Sequence, residues 1–147
     1  MTMTEQILKA AEIAFTAHQG QIDKAGRPYF LHPLTVARIA ARSGAGEETV
    51  IAALLHDVVE DTDWTFEMLE AENFPIESIE ALKLLTHDKS VPYMEYIVPI
   101  KANPVARAVK LADLTHNMDQ SRLPEITEAD ERRFEKYDRA WAYLREE

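Results

Sequence analysis

Apolar positions recur along the chain with the spacing of helices rather than strands. In the first segment Ile7, Leu8, Ala11, Ala14, Phe15 and His18 fall on one stripe. This predicts a helix from about Thr4 to Gln19, stopped by Gly20, with its apolar stripe turned to a core. The stretch GQIDKAGRPYFLHP has breakers and no period, so it reads as a loop. Pro33 suits the first position of a second helix, LTVARIAARS, with His32 at or beside the N-cap. A third helix runs from about Glu47 to Glu60 or Asp61. TFEMLEAEN makes a short fourth helix, and Pro75 can open a fifth, IESIEALKLL. After the loop THDKSVP, a sixth helix, YMEYIVPIKA, kinks near Pro99. Asn103-Pro104 is a cap and first-position pair for a seventh, VARAVKLADLTHNM. Thr127 and Asp130 resemble a capping box for the last helix, up to about Arg145. No alternating strand, internal repeat or low-complexity linker interrupts this order. The expected fold is an all-α bundle of about eight helices, with residues 1–147 as a single domain.

One stretch breaks the apolar pattern. LLHDVVEDT follows the apolar run VIAAL in the third helix, yet His56, Asp57, Glu60 and Asp61 are ionisable. On a regular helix these four share one arc, and Leu54, Val58, Ile51, Leu55, Val59 and Ala52 fill the opposite one. Carboxylates at a helix C-terminus oppose the macrodipole, and neighbouring like charges raise one another's pKa. A divalent cation held by His56 and Asp57 would offset both, leaving Glu60 and Asp61 to handle bound water. The plain alternative is a solvated acidic helix end. Two further places bear on the choice. In KLADLTHN, Asp113 interrupts an apolar helical pattern, with His116 and Asn117 three and four residues on. In the loop before the second helix stands His32. Together His32, His56, Asp57 and Asp113 offer two nitrogens and two carboxylates. Such a mixed set suits manganese, iron, zinc or cobalt better than calcium, and leaves coordination positions open for water and substrate.

Composition narrows the class. The chain has 147 residues, a formal net charge of −10 and no cysteine. The acidic balance argues against a nucleic-acid partner, which needs a basic face. The missing cysteines exclude disulfides, thiolate metal sites and a Cys nucleophile. No run approaches a membrane span, and the first residues do not read as a signal peptide, so the expectation is a cytoplasmic protein with no membrane partner.

The pattern H…HD…D, as His32, His56-Asp57 and Asp113, is the signature of the HD superfamily of metal-dependent phosphohydrolases. The stretches GRPYFLHPLTVA, AALLHDVVEDT, LTHDKSVP and VKLADLTHN resemble, in order and spacing, the hydrolase domain of RelA/SpoT proteins, and most of all its stand-alone version, the small alarmone hydrolases. The match runs from about His18 to Asn117 and, more loosely, to the last helix. It implies an HD-type bundle and a manganese-dependent enzyme that removes the 3′-pyrophosphate from guanosine tetraphosphate and pentaphosphate. The metal ligands implied are His32, His56, Asp57 and Asp113, and the acidic pair that handles the attacking water is Glu60 and Asp61. Lys24, Lys89 and Asn117 fall where the family contacts nucleotide or phosphates, and Tyr137 resembles a last-helix tyrosine near the substrate. The partner implied is a small-molecule nucleotide; a homo-oligomer is left open. One departure stands out: Asp23 occupies the place of an arginine that helps hold the guanine. An acid there could accept hydrogen bonds from a guanine edge or signal another base. Another nucleotide or phosphoester as substrate, and a sensor that binds without turnover, are the alternatives. His18, on the apolar face of the first helix, is expected to be a satisfied core histidine, and His87 and His116 to lie at the surface or behind the site. No synthetase, TGS or ACT-type region is expected after the last helix.

Overall fold

The computed structural model describes residues 2–146. Its elements are α1 (Met3–Ala17), α2 (Leu31–Arg42), α3 (Glu47–Leu55), α4 (Val58–Asp61), α5 (Phe66–Glu70), α6 (Ile76–Leu85), α7 (Tyr93–Ile100), α8 (Pro104–Asn117), a 3-10 turn (Gln120–Arg122) and α9 (Glu128–Arg145). Among the described residues there is no strand beyond one isolated bridge, Ile22 with Pro28. No described helix is long and apolar enough to cross a membrane.

The organising element is α3, which packs against α1, α2, α6 and α8. Its residues Thr49, Ile51, Ala52, Ala53, Leu54 and Leu55 are all buried, so it is apolar nearly all round, as a central helix must be. Helix ends follow their local chemistry. The Asn103 side chain accepts from the Ala106 amide with Pro104 at the first position, and Thr127 and Asp130 form a reciprocal capping box.

Three expectations are corrected. The third helix is not continuous to Asp61. It ends at Leu55, and Asp57 (φ −103°, ψ −2°) steps out of the helical path before the single turn of α4. At the break His56 Nδ1 donates to the Ala53 carbonyl at 2.6 Å, the acceptor that the Asp57 amide would take in an unbroken helix. Second, α2 starts at Leu31, so His32 sits inside the first turn and Pro33 one place later. First-turn amides have no intrahelical acceptor, so a proline there sacrifices no hydrogen bond. Third, Leu8 and Phe15 are 65% and 51% exposed; the buried face of α1 is Ala10, Ile13 and Ala14. The alanines allow close approach to α3, which rotates the larger side chains outward. Phe15 lies edge-on to Phe30 instead, with ring centroids 5.4 Å apart.

Candidate metal centre and its two cavities

Four elements meet at one place. The first turn of α2 brings His32, the α3–α4 break brings His56 and Asp57, α4 brings Glu60 and Asp61, and α8 brings Asp113. Ligating atoms of His32, His56 and Asp113 come within 4.8 Å of one another, and so do those of Asp57, Glu60 and Asp61. Asp57 joins the two groups: its Oδ2 lies 3.2 Å from His56 Nε2 and 3.7 Å from His32 Nε2. His32, His56 and Asp113 are 4–5% exposed, so bulk water does not screen them.

Hydrogen bonds around the cluster define what each group can still do. His56 donates from Nδ1, so in the neutral ring Nε2 carries the lone pair. That atom is buried and has no hydrogen-bond partner. Asp57 Oδ2 and Asp113 Oδ1 are close, at 3.2 and 3.3 Å, but off the line a hydrogen bond needs. Without a metal the conflict is relieved by a proton. Burial alone would lower the His56 pKa, but Asp57 and Asp113 outweigh it and push it up to about 9. Two imidazoles and two carboxylates converging on an orphaned lone pair fit a divalent metal ion.

The surrounding groups hold these donors in place. Tyr29 donates to Asp57 Oδ2 at 2.7 Å, and burial with the Asp57 charge keeps its hydroxyl protonated. His32 Nε2 lies 2.8 Å from Asp113 Oδ1, while His32 Nδ1 lies 2.8 Å from His116 Nδ1 with the rings stacked. Burial, with Arg122 and His32, lowers His116 to about 4, so it stays neutral. Asn117 donates to Asp113 Oδ1 at 3.1 Å and Lys110 to Asp113 Oδ2 at 2.9 Å. Burial would raise the Asp113 carboxyl, but Lys110 and the histidines hold it well below the usual carboxylate range. On the other side, Glu60 Oε1 accepts from the His87 amide at 2.7 Å. Burial, with Asp57 and Glu60, pushes Asp61 up to about 6.

Two cavities adjoin the cluster. One, of about 240 Å³, is lined by the cluster itself with His87, Tyr93, Tyr96, Lys110 and Lys136. The other, of about 290 Å³, has apolar walls from Ile22, Leu123 and Phe134, with Asp23, Lys24, Arg122 and Arg133 at its polar edge. Tyr29, Asn117 and Tyr137 line both, so the cavities adjoin one another. Asn117 and Tyr137 thus border both cavities. Lys24 lines the apolar cavity with its ammonium 3.0 Å from buried Asp130 Oδ1. Lys89 lines neither cavity, although its charge lowers the Asp61 pKa. Asp23 is part of the loop's own scaffold: its Oδ1 accepts from the amides of Ala25 and Arg27, both at 2.9 Å. His18 is buried as expected, with Nδ1 on Gln21 Oε1 at 2.9 Å, but it is not fully satisfied, because its Nε2 is buried without a hydrogen-bond partner.

Sequence reasoning missed Tyr29, Lys110 and the contact of His116 with His32. Tyr29 lies three residues before His32 within the PYF stretch, and Lys110 three before Asp113 on an otherwise apolar helical face. Both spacings could have flagged them; the His116 contact, between residues 84 apart, carries no local signal.

Residues 10–82, which include His32, His56, Asp57, Glu60 and Asp61 of this centre, match the family description "HD domain". The chain belongs to the HD domain family. Within it the similarity is to proteins of the RelA/SpoT type. It is 37% identical over 116 residues to a guanosine-3′,5′-bis(diphosphate) 3′-pyrophosphohydrolase of Haemophilus influenzae, covering 72% of this chain and 17% of that protein. It is likewise 37% identical over 126 residues to the bifunctional (p)ppGpp synthase/hydrolase SpoT of Escherichia coli, covering 78% and 18%. The chain thus spans less than a fifth of these curated relatives' length. Among solved structures, a metazoan ortholog of SpoT that hydrolyses ppGpp superposes with a TM-score of 0.77 at 27% identity, over 95% of this chain and 85% of that one.

Proposed function

We propose that this chain is a metal-dependent phosphohydrolase that removes the 3′-pyrophosphate from guanosine tetraphosphate and pentaphosphate. The observation that carries the proposal is the buried, unpartnered Nε2 of His56, faced by Asp57 and Asp113 and adjoined by Glu60 and Asp61. His32, His56, Asp57 and Asp113 would hold the ion, and manganese is the ion that the RelA/SpoT resemblance implies. When bound, such an ion supplies a Lewis acid that polarises a phosphoryl oxygen and makes water more acidic. The remaining work belongs to the chain. Asp61, exposed beside the cluster and raised to about 6, is matched to take a proton from the attacking water near neutral pH. Glu60, steadied by the His87 amide, shares that duty by fixing the water's position. The apolar cavity of Ile22, Leu123 and Phe134 suits a base, and the cavity at the cluster suits the phosphates. Asn117 and Tyr137 border both cavities, Lys24 edges the base cavity, and Lys89 contributes its charge near Asp61. The small-molecule partner is then a nucleotide, and the compartment the cytoplasm.

A second reading keeps the chemistry and changes the base. It is favoured by Asp23, whose Oδ1 is occupied by the loop's own amides in the place of the family's arginine. Incubating the manganese-loaded protein with a nucleotide panel separates the two. Release of pyrophosphate from guanosine tetraphosphate supports the first reading. Turnover of other nucleotides alone selects the second, and saturable binding without turnover leaves a sensor. Asp113→Ala is expected to lose both bound metal and activity; unchanged metal content would refute the ligand set.

A further inference from the structure

Near the two cavities, almost every cation has a protein partner. Lys110 is paired with Asp113, Lys24 and Arg133 with Asp130, and Arg122 Nη1 donates to the His116 carbonyl at 2.9 Å and to Asn117 Oδ1 at 3.3 Å. Lys136 is different. It lines the cavity at the metal cluster, and among the described residues it makes no ion pair. Its ammonium stands 4.6 Å from the Tyr93 ring centroid and 5.5 Å from that of Tyr137. Two ring faces steady a cation without neutralising it. The Tyr93 hydroxyl, buried and without a hydrogen-bond partner, adds an unspent donor to the same wall.

The same cavity carries four carboxylates, Asp57, Glu60, Asp61 and Asp113, against one other ammonium, Lys110, which Asp113 already pairs. A substrate bearing several phosphates is repelled by such a lining, and one metal ion offsets only part of it. A positive group in the lining that no carboxylate pairs reduces the repulsion. We propose that Lys136 is a specificity-determining residue for the diphosphate of the substrate, its ammonium held over Tyr93 and Tyr137 to bind the phosphate that lies farther from the metal cluster. This rests on the phosphohydrolase reading and deepens it. A cation fits this role better than one that packs the bundle, because Lys136 is exposed and its removal breaks no protein ion pair.

Imidodiphosphate, a diphosphate with a P–N–P bridge, is a suitable probe, titrated calorimetrically into manganese-loaded protein carrying no free metal. For Lys136→Met we expect the Kd to rise roughly threefold to tenfold, as for one charge-assisted contact at a partly screened site. The KM of the nucleotide should rise by the same factor, with kcat within about twofold of the parent. Lys136→Arg should restore most of the loss, and circular dichroism should show both variants folded. An unchanged Kd and KM in Lys136→Met would overturn the proposal. So would a fall in kcat alone, or an arginine variant as weak as the methionine one, which would mark packing against the tyrosines rather than charge. The two readings fail separately. If the parent protein hydrolyses no nucleotide yet binds imidodiphosphate through Lys136, the hydrolase reading falls and the phosphate site stands. If the parent hydrolyses guanosine tetraphosphate and Lys136→Met does so with the same KM, the reverse holds.

Discussion

Replacing Lys110 by Met removes the one ammonium in contact with the Asp113 carboxylate and keeps most of the side-chain volume. The two groups are 2.9 Å apart and their side chains are 11% and 7% exposed. At that separation the gross Coulomb attraction is about 6 kcal/mol with an effective dielectric constant near 20. Much of it repays desolvation, so the informative quantity is the cost of leaving one charge alone, about 3–5 kcal/mol for a buried pair. Here the lower end applies, because His32 and His56 still face Asp113 Oδ1. In a domain of this size about 3 kcal/mol corresponds to roughly 10 °C in Tm. Thermal unfolding of chelator-treated Lys110→Met should therefore show a drop of that order. Adding manganese should narrow the gap, because the ion would supply to Asp113 the positive charge the variant lacks, and the variant binds it without a neighbouring ammonium opposing it. A metal-free variant that melts within about 2 °C of the parent would refute this account. A metal-induced rise smaller in the variant than in the parent would do so too.

Three further outcomes can be checked. In metal-free protein the His56 pKa is raised from 6.5 to about 9, so its contribution is fully present below about pH 6.5 and is lost as pH rises through 9. Urea unfolding should show a decline on the order of 3 kcal/mol over that window, absent in His56→Gln. The same proton must leave before a metal can take Nε2, so metal affinity should increase with pH up to about 9; a flat profile counts against His56 as a ligand. Tyr29→Phe deletes the hydroxyl that donates to Asp57 Oδ2 and should weaken manganese binding roughly tenfold while the helical circular dichroism signal is kept; unchanged affinity would show that Asp57 is oriented without it. Asp130→Ala removes the group that the Lys24 and Arg133 side chains and the Thr127 amide share. The released cations are partly exposed and can solvate, so the expected loss is about 1–3 kcal/mol with faster amide exchange in residues 20–27. Equal exchange rates would mean that Asp130 does not tether the loop.

Much of this protein is decided by information local to its sequence. Asn103-Pro104 and Thr127 with Asp130 start their helices through contacts spanning three residues, and such contacts survive any packing. The chemical types at His32, His56, Asp57 and Asp113, set in helical segments of known length, were enough to nominate one cluster. Other features belong to the tertiary structure alone. The Leu8 and Phe15 stripe was periodic, yet which of two apolar faces is buried depends on how closely α3 approaches, and the alanine face allows the closer approach. At the break after Leu55 the His56 side chain takes the Ala53 carbonyl, a contact that helical periodicity cannot encode. Asp23 turned out to hold its own loop, and Lys24 to pair with Asp130 across 106 residues. A residue's local pattern determines which element it joins and which groups it can offer. Whether its charge is already neutralised, as for Lys110, or remains available, as for Lys136, depends on partners brought together only when the helices pack.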